Sequence, residues 1–287
     1  MKIAISGSTG FIGKQLSELL LRSGNELIVI SRSDLLDGID HLAKVIKSSD
    51  VIINLSGAPV LKRWNEKNKR IILSSRVDTT RKLVAAVQMN LPEHRPNIFI
   101  STSAISIYKN NGIHDEHSVN LGSGFLASVC TAWEKETEPL RDLDLRLSII
   151  RIGMVLGKTG GSLKTMLPLF KLGLGGKIGS GKQPFPFIHI DDVCKAIEFL
   201  ILNDKCRGIY NFVAPDSITN ELFTKVLSKK LHRPAIFAVP GFMVKLIFGK
   251  ASELLIDGAV IKPSHLLKDG FQFKYPDVES ALENIIN

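Results

Sequence analysis

Cysteine is scarce in this sequence of 287 residues, which contains only Cys130, Cys194 and Cys206. An odd number without CxxC spacing argues against a disulfide framework or a cysteine-rich zinc site, and it favours a reducing, cytoplasmic location. Long apolar runs are also missing, because no stretch reaches the roughly 18–20 residues that a membrane-spanning helix needs. The first five residues lead directly into a strand pattern, so we expect no signal peptide.

Acidic residues are the minority charge, with 28 Asp and Glu against 37 Lys and Arg and a net charge of +9. This excess fits an anionic partner, which could be a phosphorylated small molecule, a nucleic acid or an anionic surface. No helix-turn-helix, zinc finger or aromatic and basic stacking surface is recognisable, so we expect no nucleic-acid partner. We expect a monomer or homodimer that acts on a small-molecule substrate, with no membrane partner.

Strand-like and helical patterns alternate along the chain. They predict a Rossmann-type, doubly wound α/β fold, in which helices cover both faces of a parallel sheet. The predicted strands cover residues 3–5, 26–30, 51–55, 98–100, 148–152 and 208–213. The predicted helices cover residues 11–23, 39–46, 66–89, 125–140, 191–202 and 219–231, the last with Thr219 as its N-cap.

The segment between Arg32 and Asp50 is too short for the usual pattern of a dinucleotide-binding fold. The third strand normally found there is not recognisable, so it is either reduced to a few residues or absent. Further along, His232-Arg233-Pro234 is the clearest boundary signal. We therefore expect an NAD(P)-binding Rossmann domain at residues 1–232, with substrate-side insertions at about 157–187, and a small C-terminal domain at residues 233–287.

A glycine motif of the form GxxGxxG follows the first predicted strand and opens the first predicted helix. Glycines at these positions permit a tight turn, close backbone approach to a pyrophosphate and close helix packing, while the helix N-terminus offers N–H groups to the anion. The motif predicts a cofactor-binding turn made of Gly7, Ser8, Thr9, Gly10, Phe11, Ile12 and Gly13.

The residues after the second predicted strand indicate which dinucleotide binds. A carboxylate there would favour NAD by binding the adenosine ribose, whereas this sequence has Ser31-Arg32-Ser33. The guanidinium of Arg32 suits a 2′-phosphate because its donors form a fixed fork. We therefore expect Ser31 and Arg32 to bind the cofactor, and NADP to be preferred over NAD.

Five motifs occur in the order found in extended short-chain dehydrogenases/reductases: Gly7-x-x-Gly10-x-x-Gly13, Asn54-Leu55-Ser56-Gly57-Ala58, Ser101-Thr102-Ser103-Ala104, Arg151-Ile152-Gly153 and Phe187 to Val193. Lys62-Arg63-Trp64, Ala132-Trp133-Glu134 and Gly173-Leu174-Gly175-Gly176 are similar to the atypical, sugar-nucleotide epimerase-like branch. The tail resembles the small domain of unknown function that accompanies this branch.

The resemblance implies roles for the matching positions. It places Leu55, Ser56 and Gly57 on the adenine–ribose side, and Ser101 and Thr102 beside the nicotinamide ribose. Gly153 would let the backbone approach the nicotinamide. In the His189 to Asp192 segment, it implies a loop-to-helix junction that Asp191 or Asp192 caps.

The catalytic pattern of the resembled family is incomplete. Its Tyr-x-x-x-Lys pair, which exchanges a proton with the substrate oxygen, is replaced here by Phe125 and Val129, which have no proton or charge to offer. Ser103 matches the catalytic serine, and Tyr108 is a candidate replacement for the tyrosine, although ordinary packing is equally consistent with it. The sequence therefore predicts either an NADP-dependent epimerase-like oxidoreductase or a non-catalytic dinucleotide-binding sensor or scaffold.

Other charged residues offer weaker signals. Arg76 is expected to contact either the cofactor phosphates or an anionic substrate, and Lys177 and Lys182 are candidates for a substrate phosphate. The segment from His114 to His117 has only loosely metal-like spacing, so we expect a solvated loop there and no metal site.

Overall fold

The computed structural model describes residues 1–235 and 237–286, so Ile236 and Asn287 of the predicted C-terminal domain lie outside the described residues. The strands are β1 (Lys2–Ser6), β2 (Glu26–Ile30), β3 (Val51–Asn54), β4 (Ile98–Ala104), β5 (Ile113–His114), β6 (Arg146–Ile152), β7 (Met154–Leu156), β8 (Phe187–His189), β9 (Gly208–Phe212) and β10 (Val260–Ile261). The helices are α1 (Phe11–Arg22), α2 (Arg32–Leu36), α3 (Ile39–Ile46), α4 (Glu66–Met89), α5 (Phe125–Lys135), α6 (Gly161–Lys171), α7 (Ile190–Leu202), α8 (Asn220–Lys230), α9 (Gly241–Phe248), α10 (Glu253–Ile256), α11 (Ser264–Lys268) and α12 (Val278–Ile286).

Six strands form one parallel sheet in the order β2-β1-β3-β4-β6-β9. Its interior strands are buried on both faces, as their continuous apolar runs require. On one face, Leu16 of α1 and Ile197 of α7 join the core, and on the other face Leu42 of α3 and Leu83 of α4 do so. The predicted doubly wound α/β class is therefore confirmed.

The third strand of the usual dinucleotide fold is absent. Residues 31–50, all of which the structure describes, contain the helices α2 and α3 and no strand. Leu42, Ala43 and Ile46 of α3 are buried in the core that α4 also enters. The segment therefore covers the sheet as a helix and leaves β2 as the edge strand.

The C-terminal residues surround a second apolar core. Phe223 and Leu227 of α8 pack with Leu282 and Ile285 of α12 in one buried cluster, which Phe187 of β8 also joins. As predicted, Thr219 is the N-cap of α8, and its hydroxyl accepts the Leu222 N–H at 3.2 Å. Among the described residues, no helix combines the length and apolar character needed to cross a bilayer.

The junction before α7 joins the two cores. The prediction that Asp191 or Asp192 caps this helix is wrong, because the N-cap is His189, whose Nδ1 accepts the Asp191 N–H at 3.1 Å. Asp192 instead accepts the backbone N–H groups of Lys274 and Tyr275 at 2.8 and 2.9 Å. Burial raises the pKa of Asp192, although these two bonds favour its charged form.

Replacement of Asp192 with alanine should destabilise the protein. The change leaves two backbone N–H groups without their acceptor, and we expect the free energy of unfolding to fall by about 2–3 kcal/mol in urea denaturation. Asp191→Ala is the matched control, since that side chain is half-exposed and makes only long ion pairs. Equal losses in the two variants would contradict the anchoring role of Asp192.

Candidate functional site

The turn after β1 lies directly against the segment that follows β3. Gly7 has a φ of +79°, and a Cβ there would come within 2.8 Å of the Leu55 carbonyl carbon and oxygen. A Cβ at Gly13 would collide with the Gly7 carbonyl oxygen and the Ser8 backbone. Only glycine fits at these two positions, so the turn forms a narrow backbone cradle at the carboxyl end of the sheet.

The cradle ends at the N-terminus of α1. Gly10 is its N-cap and has no side chain to occupy the first N–H groups of the helix, which are without intrahelical acceptors. The ring of Phe11 packs against the loop after β7, where a Cβ at Gly157 would come within 2.6 Å of it. The predicted cofactor-binding residues 7–13 therefore form one continuous turn that leads into α1, and their contact with a cofactor stays a prediction.

Near the end of β2, the carboxylate of Asp34 already has partners within the protein. Asp34 accepts the Ser31 N–H at 2.7 Å and the Ser31 hydroxyl at 2.6 Å, and it pairs with His41 at 2.8 Å. The bonds from Ser31, followed by the bond from His41, lower the pKa of Asp34 to about 2. The side chain of Arg32 is exposed, and among the described residues no hydrogen bond or ion pair involves its guanidinium.

Arg76 of α4 lies against the segment that follows β3, at the same edge of the sheet. A Cβ at Gly57 would lie 3.0 Å from the Arg76 guanidinium carbon, so the guanidinium rests on this glycine. Arg76 donates to the Ile72 carbonyl at 3.1 Å and lies 5.3 Å from the centre of the Trp133 ring. Burial lowers the pKa of Arg76, but an arginine remains charged at neutral pH.

A buried polar network at Asn54 connects these elements, and the sequence analysis missed it. The Asn54 side chain accepts from Ser6 at 2.7 Å and donates to Thr80 at 2.8 Å, while its carbonyl accepts from Thr102 at 2.9 Å. The Trp133 indole also donates to Thr80 at 2.8 Å. The signal was an asparagine at the end of an apolar strand, because a buried amide needs hydrogen-bond partners.

The remaining predicted nicotinamide-side positions lie near the carboxyl ends of β4 and β6. The hydroxyl of Thr102 is occupied by the Asn54 carbonyl, and Ser101 is buried with no partner for its hydroxyl among the described residues. A Cβ at Gly153 would come within 2.7 Å of Val213 and 2.9 Å of the Pro186 carbonyl oxygen. Packing therefore already requires a glycine at 153, whether or not a nicotinamide lies beside it.

Ser103 donates a hydrogen bond to the largely buried carboxylate of Glu134 on α5. The distance from Ser103 Oγ to Glu134 Oε1 is 2.6 Å, and Arg151 binds both Glu134 oxygens at 2.9 and 2.8 Å. Burial opposes the charge of Arg151, but the bonds and charge of Glu134 hold its pKa above the ordinary value. A charged residue in a strand buried on both faces requires such a partner, so Arg151 could have been identified from the sequence.

Tyr108 belongs to the same network but is fully enclosed. Its hydroxyl accepts from Arg151 at 2.8 Å and donates to Asn211 at 2.9 Å, and its ring stacks on His114. Burial raises the pKa of Tyr108, while the charge of Arg151 acts in the opposite direction. These are the contacts of a structural tyrosine, and they do not support the catalytic assignment, which stays a prediction.

The two positions that replace the Tyr-x-x-x-Lys pair are part of apolar contacts. The Phe125 ring meets the Trp64 ring edge-on at 5.1 Å, and Val129 is buried with Ile72. Cys130 lies near Ser103, but burial raises the pKa of its thiol to about 11. Burial therefore favours the protonated thiol, which is a weaker nucleophile than the thiolate.

The segment from His114 to His117 is not the solvated loop that the sequence predicts. Glu116 is buried and accepts the backbone N–H groups of Asn211 and Ser264 at 2.9 and 3.1 Å, and His114 is also buried. The polar network thus continues from Ser103 to the C-terminal residues. Among the described residues, no three His, Cys, Asp or Glu side chains are grouped to hold a metal ion.

The lysines proposed for a substrate phosphate have different surroundings. Lys177 forms an ion pair with Glu221 at 2.6 Å, whereas the side chain of Lys182 is exposed. Lys177 is therefore already paired, and the contact of either lysine with a substrate phosphate stays a prediction.

Comparisons with known proteins agree with this geometry. The NAD dependent epimerase/dehydratase family matches residues 3–212, and a domain of unknown function, DUF1731, matches residues 239–285. The epimerase family protein SDR39U1 of Mus musculus is 34% identical, with all of both chains covered. Its chloroplastic homolog in Arabidopsis thaliana is 33% identical, covering 100% of this chain and 87% of the relative.

A solved structure shows the same fold over the full length. Human epimerase family protein SDR39U1, isoform 2, crystallised with NADPH, has a TM-score of 0.92 and 33% identity, covering 100% of this chain and 99% of that one. The family match spans most of the chain, and these relatives extend over nearly all of it. The protein therefore belongs to the NAD dependent epimerase/dehydratase family, as its motifs predict.

Proposed function

We propose that this protein is an NADP(H)-dependent, epimerase-like oxidoreductase that acts on a small anionic substrate. The observation that carries the proposal is the combination at the ends of β1 and β2. A backbone cradle built on Gly7 and Gly13 lies near an exposed Arg32, and the nearby carboxylate of Asp34 is occupied. The human relative crystallised with NADPH supports the same cofactor.

The residues of the cradle fit a dinucleotide phosphate. Gly7 to Gly13 and the first N–H groups of α1 would hold the pyrophosphate, because a helix N-terminus attracts anions. Arg32 would pair with a 2′-phosphate, while Asp34 is held away by Ser31 and His41 and would not compete for the ribose hydroxyls. When bound, the nicotinamide ring supplies or accepts a hydride.

The hydrogen bonds of Ser103 restrict which substrate group it can contact. Its single hydroxyl proton is donated to Glu134 at 2.6 Å, which leaves the oxygen lone pairs as acceptors. Ser103 would therefore accept a hydrogen bond from a substrate hydroxyl rather than donate one to a carbonyl oxygen. Glu134 acts as a positioning residue, and Arg151 fixes its orientation through two further bonds.

Arg76 is the best supported of the basic candidates for an anionic substrate. Its guanidinium lies on Gly57 beside the cradle. Among the described residues it makes one side-chain hydrogen bond, to the Ile72 carbonyl, which leaves other donors for an anion. The same position is compatible with a contact to the cofactor phosphates, as the sequence analysis allows. Lys177 contributes less because Glu221 already neutralises it.

Arg32→Ala should lower the affinity for NADPH and spare that for NADH. Loss of charge-assisted bonds to a phosphate is expected to weaken NADPH binding by about ten- to a hundredfold, as measured by isothermal titration calorimetry. Arg22→Ala is the matched control, because that exposed arginine lies at the far end of α1. An equal loss for both dinucleotides in Arg32→Ala would contradict a 2′-phosphate contact.

Ser103→Ala should reduce turnover and leave NADPH affinity intact. The assay measures NADPH oxidation with a panel of carbonyl compounds as candidate substrates. It also measures NADP reduction with alcohols and nucleotide sugars as candidate substrates. Tyr108→Phe separates the second candidate, since loss of a buried, doubly bonded hydroxyl is expected to lower the melting temperature while turnover persists. If Tyr108→Phe loses turnover at an unchanged melting temperature, the tyrosine is catalytic.

The same panel distinguishes the enzyme from the alternative, a dinucleotide-binding sensor or scaffold. Tight NADPH binding without turnover on any compound, in wild type as well as in Ser103→Ala, would favour the sensor. Failure to bind either dinucleotide would contradict both.

A further inference from the structure

A group of large apolar side chains lies exposed on the C-terminal part of the molecule. We call this group the apolar patch. Its six residues lie in α9, in the segment before α9 and in the loop after α6. Their exposed fractions are Leu172 72%, Leu174 56%, Phe237 63%, Phe242 71%, Leu246 72% and Ile247 61%. Scattered apolar residues are normal on a protein surface, but a concentration of this kind marks an interaction site.

The orientation of α9 is fixed with its apolar side outward. Phe242 and Leu246 are four residues apart and lie on one side of the helix, whereas Val244 is buried on the opposite side. The Arg63 guanidinium donates to the Leu246 carbonyl at 2.9 Å and so fastens the end of the helix to the main body. The exposed face is therefore a defined surface of a docked helix.

The loop after α6 lies beside the segment that leads into α9. Val239 donates to the Lys177 carbonyl at 2.8 Å, and Gly179 donates to the Val239 carbonyl at 2.9 Å. A Cβ at Gly176 would collide with the Phe237 carbonyl oxygen, so the two backbones touch there. Leu172 and Leu174 are thus brought to the same region of the surface as Phe237.

The chain segments that carry the apolar patch contain no acidic residue. Neither residues 145–190 nor residues 233–252 include an Asp or Glu. Their lysines and terminal arginine are Lys158, Lys164, Lys171, Lys177, Lys182, Arg233, Lys245 and Lys250. Of these, Lys177 is neutralised by Glu221, and α10 begins with Glu253 immediately beyond the second segment. The chain segments that carry the apolar patch are therefore basic.

The charge and composition of the segments that carry the apolar patch indicate which kind of partner it fits. A second copy of this chain would present like charges, and the protein as a whole carries +9. Protein interfaces are depleted in lysine and enriched in Trp, Tyr, Phe, Met and Arg. Residues 164–182 and 237–252 contain Phe and Met, but they also contain lysines and have no Trp, Tyr or Arg. Exposed phenylalanine and leucine on α9 can enter the boundary between lipid headgroups and acyl chains, while the neighbouring lysines attract anionic lipid.

We propose that the apolar patch docks the protein on an anionic lipid membrane, with Phe242 and Leu246 entering the headgroup–acyl boundary and the lysines pairing with lipid phosphates. Each lysine near such a surface adds to the binding and loses its effect at high salt. The expectation of no membrane partner rested on the absence of a spanning run, and a helix lying in the interface needs none. This proposal is independent of the cofactor chemistry.

Vesicle sedimentation of the full chain tests the proposal directly. We expect binding to vesicles of phosphatidylcholine mixed with phosphatidylglycerol, much weaker binding to phosphatidylcholine alone, and a decline as salt rises. Leu246→Ser should weaken binding by about tenfold or more, because one buried leucine contributes at least that much. Lys245→Glu should weaken binding to the anionic vesicles only.

Leu202→Ser is the matched control, since Leu202 at the end of α7 is 68% exposed and lies outside the apolar patch. An unchanged melting temperature in all variants ensures that the fold is intact. Equal binding by wild type and Leu246→Ser, or no binding to anionic vesicles at low salt, would overturn the proposal. A dimer that Leu246→Ser dissociates, measured by light scattering without vesicle binding, would assign the patch to a second copy instead.

Discussion

The buried pair of Glu134 and Arg151 constrains the chemistry at the carboxyl end of the sheet. Taking two charges out of water is costly unless they remain paired and fully hydrogen-bonded, so neither side chain is free to leave the other. Ser103 donates a hydrogen bond to Glu134, and Arg151 donates to Tyr108, whose hydroxyl donates to Asn211. The pair therefore leaves the Ser103 oxygen as an acceptor for any further group, and it holds the Tyr108 hydroxyl in two buried hydrogen bonds.

The cofactor end of the sheet depends on backbone shape more than on side chains. At Gly7 and Gly13 any Cβ would strike neighbouring backbone, so the cradle can be predicted from a seven-residue motif. The hydrogen bonds between Asp34 and Ser31 are also local, because the two residues are three positions apart and form a capping box. They escaped the sequence analysis because the residues after β2 were expected to form a loop, and a cap exists only once α2 forms.

How far a feature could be predicted depended on how far apart its partners lie in the chain. The bounds of β2 and α4 match the prediction, since local periodicity and punctuation determine them. The bond between Tyr108 and Asn211 spans 103 residues, and that between Glu116 and Ser264 spans 148, so no local pattern reveals them. The cap of α7 was misassigned because His189 precedes the helix and both aspartates lie within its first turn. The actual role of Asp192 could not be predicted, because its partners Lys274 and Tyr275 lie far along the chain.

The basic residues of the chain include two physically different groups, buried arginines and exposed lysines. Arg146 is buried against the carbonyl groups at the end of α7, including those of Asn203 and Cys206, and Arg151 is neutralised by Glu134. These two arginines stabilise the fold, because each is buried and its donors are bound to acceptors within the protein. Lys158, Lys164, Lys171 and Lys182 are exposed and have no ion-pair partner among the described residues, so their charge extends into solvent over about a Debye length. Lys177 of the same segment is paired with Glu221. The exposed lysines lie beside the loop that carries part of the apolar patch, and they are separate from the buried network that orients Ser103.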